Sequence, residues 1–327
     1  MNAIQTIAKE RETINDTIRS FFKDRGYLEV ETPILVKSPG MEPNLTPFET
    51  IVREPNKNEY RGALITSPEY SMKKLLGHGL EKIFTLTKVF RNDEQFGGSH
   101  NPEFTMLEWY QQGADYMKCI EETETLVKMI NIKLQMTNEC QMTNFKWERK
   151  RVRDLFLQYV GIDLDAADRQ TLFDSCLSLR IHTSLSDTES DLFYRLFLEK
   201  IEPNLLGNIF VYDYPKYQAS LSRLTSDGKY GERFELYMNG LELCNGFTEL
   251  IDANEQRKRF EEEAEERKQT SKTVHPIDEG LLSLLPSLRT PTFGNALGVD
   301  RLHMILTDRT KIEDVLLFPA DKLFRDY

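Results

Sequence analysis

No stretch of this sequence approaches the roughly 18 consecutive apolar residues that a membrane-spanning helix needs. The opening MNAIQTIAKERETIND is polar and carries acids, which a secretory or organellar leader does not. A cytoplasmic protein without membrane contact is expected. Cysteine is scarce: Cys119, Cys140, Cys176 and Cys244 show no C-x-x-C pairing and no histidine at metal-ligand spacing. Inert, buried thiols are therefore expected instead of a disulfide framework or a zinc site. Positive charge is in deficit, with 42 Lys+Arg against 53 Asp+Glu and a net charge of −11. That balance argues against generic nucleic-acid binding, which relies on clustered lysine and arginine. Neither G-x-G-x-x-G nor G-x-x-x-x-G-K-[ST] occurs, so a bound nucleotide must be held without either common phosphate-cradling loop. What is present, 39% hydrophobic and 29% charged residues over 327 positions, is the balance of a folded globular protein with a large core.

Ile4, Ile7, Ile14, Ile18, Phe21 and Phe22 recur at helical spacing, and Gly26 follows as a stop. In YLEVETPILV, Pro33 denies a ladder donor and points to a sheet edge. Residues 37 to 60 read as loop, and Arg61 to Thr66 as a strand. SPEYSMKKLLGHG reads as a helix capped by Ser67, with Pro68 in its first turn. Lys82–Phe90 and Glu103–Gln111 read as an antiparallel hairpin, residues 115 to 137 as a long helix. Residues 140 to 205 carry no recognisable chemistry and can be an insertion within a single domain spanning 1–327. NIFVYDY, YQASLSR, RFELYMN and LELCNGFTELI read as strands, and FEEEAEERKQ as a solvated helix. FGNALGVDRLHMILTD turns through Gly298 into a final helix. Consecutive strands with few helical crossovers predict an α+β fold, an antiparallel sheet flanked by helices.

Three clusters can carry chemistry. In the second hairpin strand, period-two alternation puts Phe104, Met106, Glu108 and Tyr110 on one face: an aromatic plate, a carboxylate and a phenol in a row. Such a face can stack a flat base and hold an ammonium group, or simply cover a core. Arg91, just before, can grip a phosphate with its planar fork. Glu242 and Glu249 lie seven apart, on opposite faces of a regular strand, but a bulge at Asn245-Gly246 would let both converge on Mg²⁺. Two surface glutamates are the plainer alternative. In ALGVDRL, Gly298 allows close backbone approach to a ligand and Arg301 falls in the first helical turn. No serine, cysteine or histidine constellation suits covalent catalysis.

ETPIL resembles motif 1 of the class II aminoacyl-tRNA synthetases, FRNDE…HNPEFTMLEWY resembles motif 2, and ALGVDRL resembles motif 3. The likeness extends to LITSPEYSMKKLL and GLELCNGFTEL and runs in order over almost the whole chain. Within that class the sequence is most similar to lysyl-tRNA synthetase, and especially to its shortened paralogs that attach lysine to elongation factor P. The motif 1 helix starts within the first few residues given, so the anticodon-binding OB-fold is not expected ahead of it. Ala296 stands where ordinary lysyl-tRNA synthetases have glycine, an alanine shared with the paralogs and linked to a pocket for (R)-β-lysine.

The resemblance implies ATP and Mg²⁺ as cofactors and the synthetase catalytic fold. It gives Arg91, Asn92, Asp93, His100, Asn101, Phe104, Glu242, Leu243, Gly298 and Arg301 to ATP, with Arg91 and Arg301 catalytic. Ser67, Pro68, Glu69, Glu108, Tyr110, Asn245, Glu249 and Ala296 would form the lysine site, and Glu242 with Glu249 would hold the metal. Two departures stand out: the motif 2 loop Gln95–Ser99 is a residue longer than in the relatives and lacks their extra arginine, and Asp93 replaces their usual glutamate. The implied partners are elongation factor P as acceptor, lysine or (R)-β-lysine, and a second copy of the chain in a homodimer, with no tRNA. The rival readings are a stand-alone enzyme acting on tRNA or a small amine, and a non-catalytic regulatory paralog.

Overall fold

The first helix, α1 (Ala3–Lys23), starts at a capping box: the Asn2 side chain accepts the Gln5 N–H at 2.9 Å while the Gln5 side chain accepts the Asn2 N–H at 3.1 Å. It stops before Gly26, whose φ of +78° is left-handed. Its buried stripe is Ile14, Ile18, Phe21 and Phe22, whereas Ile4 is exposed. The computed structural model describes residues 2–137 and 146–325, so Cys140 lies outside the described residues; Cys119, Cys176 and Cys244 are buried and free.

Short strands follow: β1 (Leu28–Glu29), β2 (Leu35–Val36), β3 (Glu49–Arg53) and β4 (Glu59–Leu64). β3 lies inside the stretch that reads as loop and pairs antiparallel with β4, which carries the expected strand from Arg61 to Leu64, and β2 joins them in a three-stranded sheet. Every residue of β3 is exposed, so the segment has no in-and-out hydrophobic alternation to betray it. Helix α2 (Glu69–Gly77) has Pro68, not Ser67, at its cap position, although the Ser67 hydroxyl still accepts the Glu69 N–H at 3.0 Å.

Then come β5 (Lys82–Phe90), β6 (Glu103–Gln112), α3 (Tyr116–Thr137), β7 (Trp147–Arg151), α4 (Val152–Tyr159), α5 (Arg169–Ser178) and α6 (Glu189–Leu196). After them lie β8 (Asn208–Pro215), β9 (Tyr230–Met238), β10 (Leu241–Thr248), α7 (Ala253–Gln269), α8 (Glu279–Leu284), β11 (Thr292–Gly298), α9 (Val299–Leu306) and α10 (Ala320–Phe324). One eight-stranded sheet runs β1-β5-β6-β11-β10-β9-β8-β7. Its six inner strands pair antiparallel, as expected, while the edge strands β1 and β7 pair parallel with β5 and β8. Between β7 and β8 the helices α4 to α6 bury Phe156, Phe193 and Phe197 against Tyr214 and Tyr237, so this stretch contributes a strand and a core layer to the main sheet. YQASLSR is not a strand: Lys216–Gln218 form a 3₁₀ turn and Ser222 makes only an isolated bridge to Glu249.

On one face of the sheet α1 and α3 build the main core. Phe22 stacks on Phe84 at 4.9 Å and leans on Trp109 at 5.3 Å between ring centres. Burying such aromatic rings contributes about 1.5–3 kcal/mol each. The opposite face carries the cavity.

Candidate active site

Leu107 and Trp109 of β6 enter the core under α1 and α3, so Phe104, Met106, Glu108 and Tyr110 must face the other way. There, Phe104, Met106 and Tyr110 line a cavity of about 760 Å³. Ser67, Glu69 and Tyr110 line one end, and two buried carboxylates lie behind them. Glu108 is fully buried and accepts the Ser67 hydroxyl at 2.5 Å and the Tyr110 hydroxyl at 2.8 Å. Burial, then the neighbouring Glu69, pushes its pKa up to about 8. Glu249 is also buried, and its carboxylate meets the Lys73 ammonium at 2.6 Å; the same ammonium meets Glu69, one helical turn away, at 2.5 Å. Burial raises the Glu249 pKa to about 8, since it shares its single cation with Glu69. Burial works against the Lys73 ammonium too, yet Glu249 and Glu69 hold its pKa above the usual value. Gly294 is required here: a Cβ would lie 2.3 Å from the Tyr110 ring and 2.4 Å from Glu249.

The other end is rich in arginine. The Arg91 guanidinium lies 5.1 Å from the centre of the Phe104 ring. Arg301 donates from Nε to the Ser99 carbonyl at 3.2 Å and from Nη1 to the Glu242 carbonyl at 3.0 Å. Burial, then Glu235, pushes the Glu242 carboxyl up to about 7 against the pull of Arg301. The bulge that turns Glu242 toward this face lies at Leu243, not at Asn245-Gly246: Glu242 pairs with Tyr237 and Cys244 with Leu236, leaving Leu243 as the extra residue. Gly246 pairs regularly and is glycine because a Cβ would strike the Phe234 ring at 2.7 Å. A Cβ at Gly298 would make only ordinary contacts, with Leu243 O at 3.8 Å and Arg301 at 3.9 Å, so close packing does not require glycine there.

The remaining expected residues divide. Asn101 lines the cavity with its amide engaged, donating to the Glu103 carbonyl at 2.6 Å and accepting the Ala320 N–H at 2.9 Å. Asn245 and Ala296 line it too, and Asn245 accepts from Arg233 at 3.0 Å. Pro68 is the cap of α2, and Asn92 and Asp93 are exposed. Asp93 adopts a left-handed φ of +60°, which turns the next residue, Glu94, into the cavity. Burial opposes ionisation of Glu94, but a hydrogen bond with His100 at 3.1 Å and the charge of Arg91 hold its pKa down. Glu94 is thus the acid facing Arg91.

A family model described as "tRNA synthetases class II (D, K and N)" matches residues 1–322. The chain belongs to that class II synthetase family. It is 39% identical over 320 residues to a Yersinia enterocolitica protein named "Elongation factor P--(R)-beta-lysine ligase", covering 96% of this chain and 94% of that protein. A Sodalis glossinidius protein of the same name is 39% identical over 319 residues, again 96% and 94%. The chain is an ATP-dependent ligase of the class II synthetase type with an α+β fold. Among the described residues no helix is long and apolar enough to cross a membrane.

Sequence patterning does not single out several residues of this synthetase cavity. Lys73 looks like half of a surface lysine pair, and only its position four after Glu69 hints at a helical ion pair. Ser190 and Tyr194 bring α6, from the stretch without evident chemistry, into the wall. Helix α7 is not simply solvated. Glu255, Lys258, Arg259, Glu262, Glu263 and Glu266 border the cavity, and burial, then Glu42 and Glu69, pushes Glu263 up to about 8.

Proposed function

We propose that this chain activates lysine, with (R)-β-lysine as the preferred isomer, as an adenylate and transfers it to a lysine side chain of elongation factor P. The observation that carries the reading is one cavity with Ser67, Glu69 and Tyr110 at one end, backed by the buried carboxylates of Glu108 and Glu249, and two arginines beside an aromatic plate at the other. A substrate with two ammonium groups and a carboxylate suits the first end, and a nucleotide suits the second. The names of the two relatives support the same chemistry.

In this reading Phe104 stacks the adenine and Arg91 and Arg301 take the phosphates, with Glu94 in the role expected for Asp93. Glu69, Glu108 and Glu249, with Ser67 and Tyr110, fix the amines and leave the substrate carboxylate pointing at the α-phosphorus. Its oxygen attacks in line, the bond between the α-phosphorus and the bridging oxygen breaks, and pyrophosphate leaves. The acceptor amine, losing a proton, then attacks the carbonyl carbon and AMP departs. Positioning and charge neutralisation suffice for the first step.

Glu242, a half-buried acid in the cavity wall beside Arg301, fits Mg²⁺ together with phosphate oxygens. Glu249 fits less well, because Lys73 already occupies its carboxylate; among the described residues no group of three His, Cys, Asp or Glu could hold a metal. Bound there, the ion would neutralise phosphate charge. The reading treats residues 1–327 as one catalytic unit and α1 as a subunit interface in a homodimer. It is tested by transfer of label from α-lysine and (R)-β-lysine, with ATP and Mg²⁺, to purified elongation factor P and total tRNA in parallel. Label on the protein alone supports it. Label on tRNA, or none on either, overturns it.

A further inference from the structure

Arg301 has its guanidinium at the cavity, but the first turn of α9 is fixed by the residue before it. Asp300 is 1% exposed. One of its carboxylate oxygens accepts the Thr105 N–H at 2.6 Å, and the other is paired with Arg11 of α1. Thr105 lies between Phe104 and Met106, both in the cavity wall, so a single carboxylate ties the start of α9 to the strand that carries the aromatic plate. An acid in the first turn also suits the positive end of the helix. The next-door residue of α1, Glu10, reaches the middle of the same helix and the segment after it: it accepts from His303 at 2.9 Å and from Arg309 at 2.5 Å. Two successive residues of α1 therefore hold α9 at its first turn and at its middle.

We propose that the Arg11–Asp300 pair positions Arg301 and Phe104 for the nucleotide, so that α1, outside the cavity, governs ATP use. The proposal rests on the reading of the arginine end as the nucleotide site. Without Arg11, Asp300 becomes a buried carboxylate left with the Thr105 N–H, and it loses hold on one of the two elements it joins. Small displacements of a phosphate-gripping guanidinium are costly because the chemistry depends on positioning. The amine end is built from other residues, Ser67, Glu69, Lys73, Glu108, Tyr110 and Glu249, and stays as it is.

The test compares the full-length wild type with Arg11→Met, Arg11→Lys and Asp300→Asn. ATP affinity is measured by calorimetry without lysine, and kinetics by lysine-dependent ATP–pyrophosphate exchange. Arg11→Met and Asp300→Asn are expected to weaken ATP binding and to lower kcat about tenfold, with KM for lysine unchanged. Arg11→Lys, which keeps the charge, should recover most of the loss. Unchanged ATP parameters in Arg11→Met would overturn the proposal. So would parallel rises in both KM values with a lowered melting temperature, the signature of a merely structural role. A wild type that binds ATP but shows no exchange would sink the proposed reaction instead, and calorimetry on the variants would still decide the role of Arg11.

Discussion

The Lys73 ammonium lies 2.6 Å from the Glu249 carboxylate although Lys73 is in α2 and Glu249 directly follows the distant β10, and only 1% of Lys73 is exposed. With Glu69 on its other side, Lys73 is a cation built in behind the end of the cavity that is itself proposed to bind cations. Removing one partner of such a buried pair leaves an uncompensated charge and costs about 3–5 kcal/mol. Lys73→Met keeps most of the side-chain volume, so its effect reports on charge. Denaturant unfolding should show a loss of that order, and KM for lysine should rise far more than KM for ATP. Equal changes in both constants would argue against a role for Lys73 at the amine end.

Glu108 sets the expected pH dependence. Burial holds its pKa at about 8, so the free pocket carries it protonated at neutral pH. A substrate ammonium prefers the ionised form, so binding must expel that proton, and affinity must improve as pH rises. KM for lysine should fall from about pH 6 to about pH 8 and then level off, by up to about tenfold per unit. Glu108→Gln should raise KM and flatten the profile; a KM that rises with pH over this window would contradict the assignment.

Much of this was legible before any coordinates. Alternation in β6 separates Leu107 and Trp109 from Phe104, Glu108 and Tyr110, because a strand has only two faces. The seven-residue gap between Glu242 and Glu249 demands a bulge, but which residue bulges depends on crowding across strands: Gly246 is consumed by the Phe234 ring, and Leu243 is left to be extruded. Glu94 rather than Asp93 faces Arg91 because one left-handed residue sets the phase of the loop, and no local pattern encodes that. Tyr194 reaches the cavity, and Lys73 the carboxylates behind it, through packing against elements far away in sequence, which periodicity cannot report.

Glu10 gives a prediction for stability. Burial opposes its ionisation, but hydrogen bonds from His303 and Arg309 hold its pKa at about 2, below the ordinary 4.5. A depressed carboxyl contributes stability that is complete above 4.5 and is lost as pH falls toward about 2. Glu10→Gln should therefore cost about 2 kcal/mol at neutral pH and almost nothing at about pH 2. Denaturant titrations of both proteins at several pH values check this. A difference that persists unchanged into acid would mean that the carboxylate charge is not what holds α1 to α9.

Ala296 is opposite Glu108 on one side and Asn245 on the other in the strand register, so its methyl group projects beside the buried acid of the amine end. Ala296→Gly removes that methyl without disturbing either ladder. The two lysine isomers differ in where one amine sits along the same carbon chain, and a methyl group discriminates between such shapes by about 1–3 kcal/mol. The variant should therefore shift the ratio of kcat/KM for α-lysine over (R)-β-lysine upward by about tenfold or more. Because Glu69, Glu108 and Glu249 all remain, total lysine activation should survive. Adenylate formation followed by pyrophosphate release with each isomer measures the ratio directly. A ratio that does not move would remove Ala296 from isomer selection and leave the choice to the carboxylates and to Asn245.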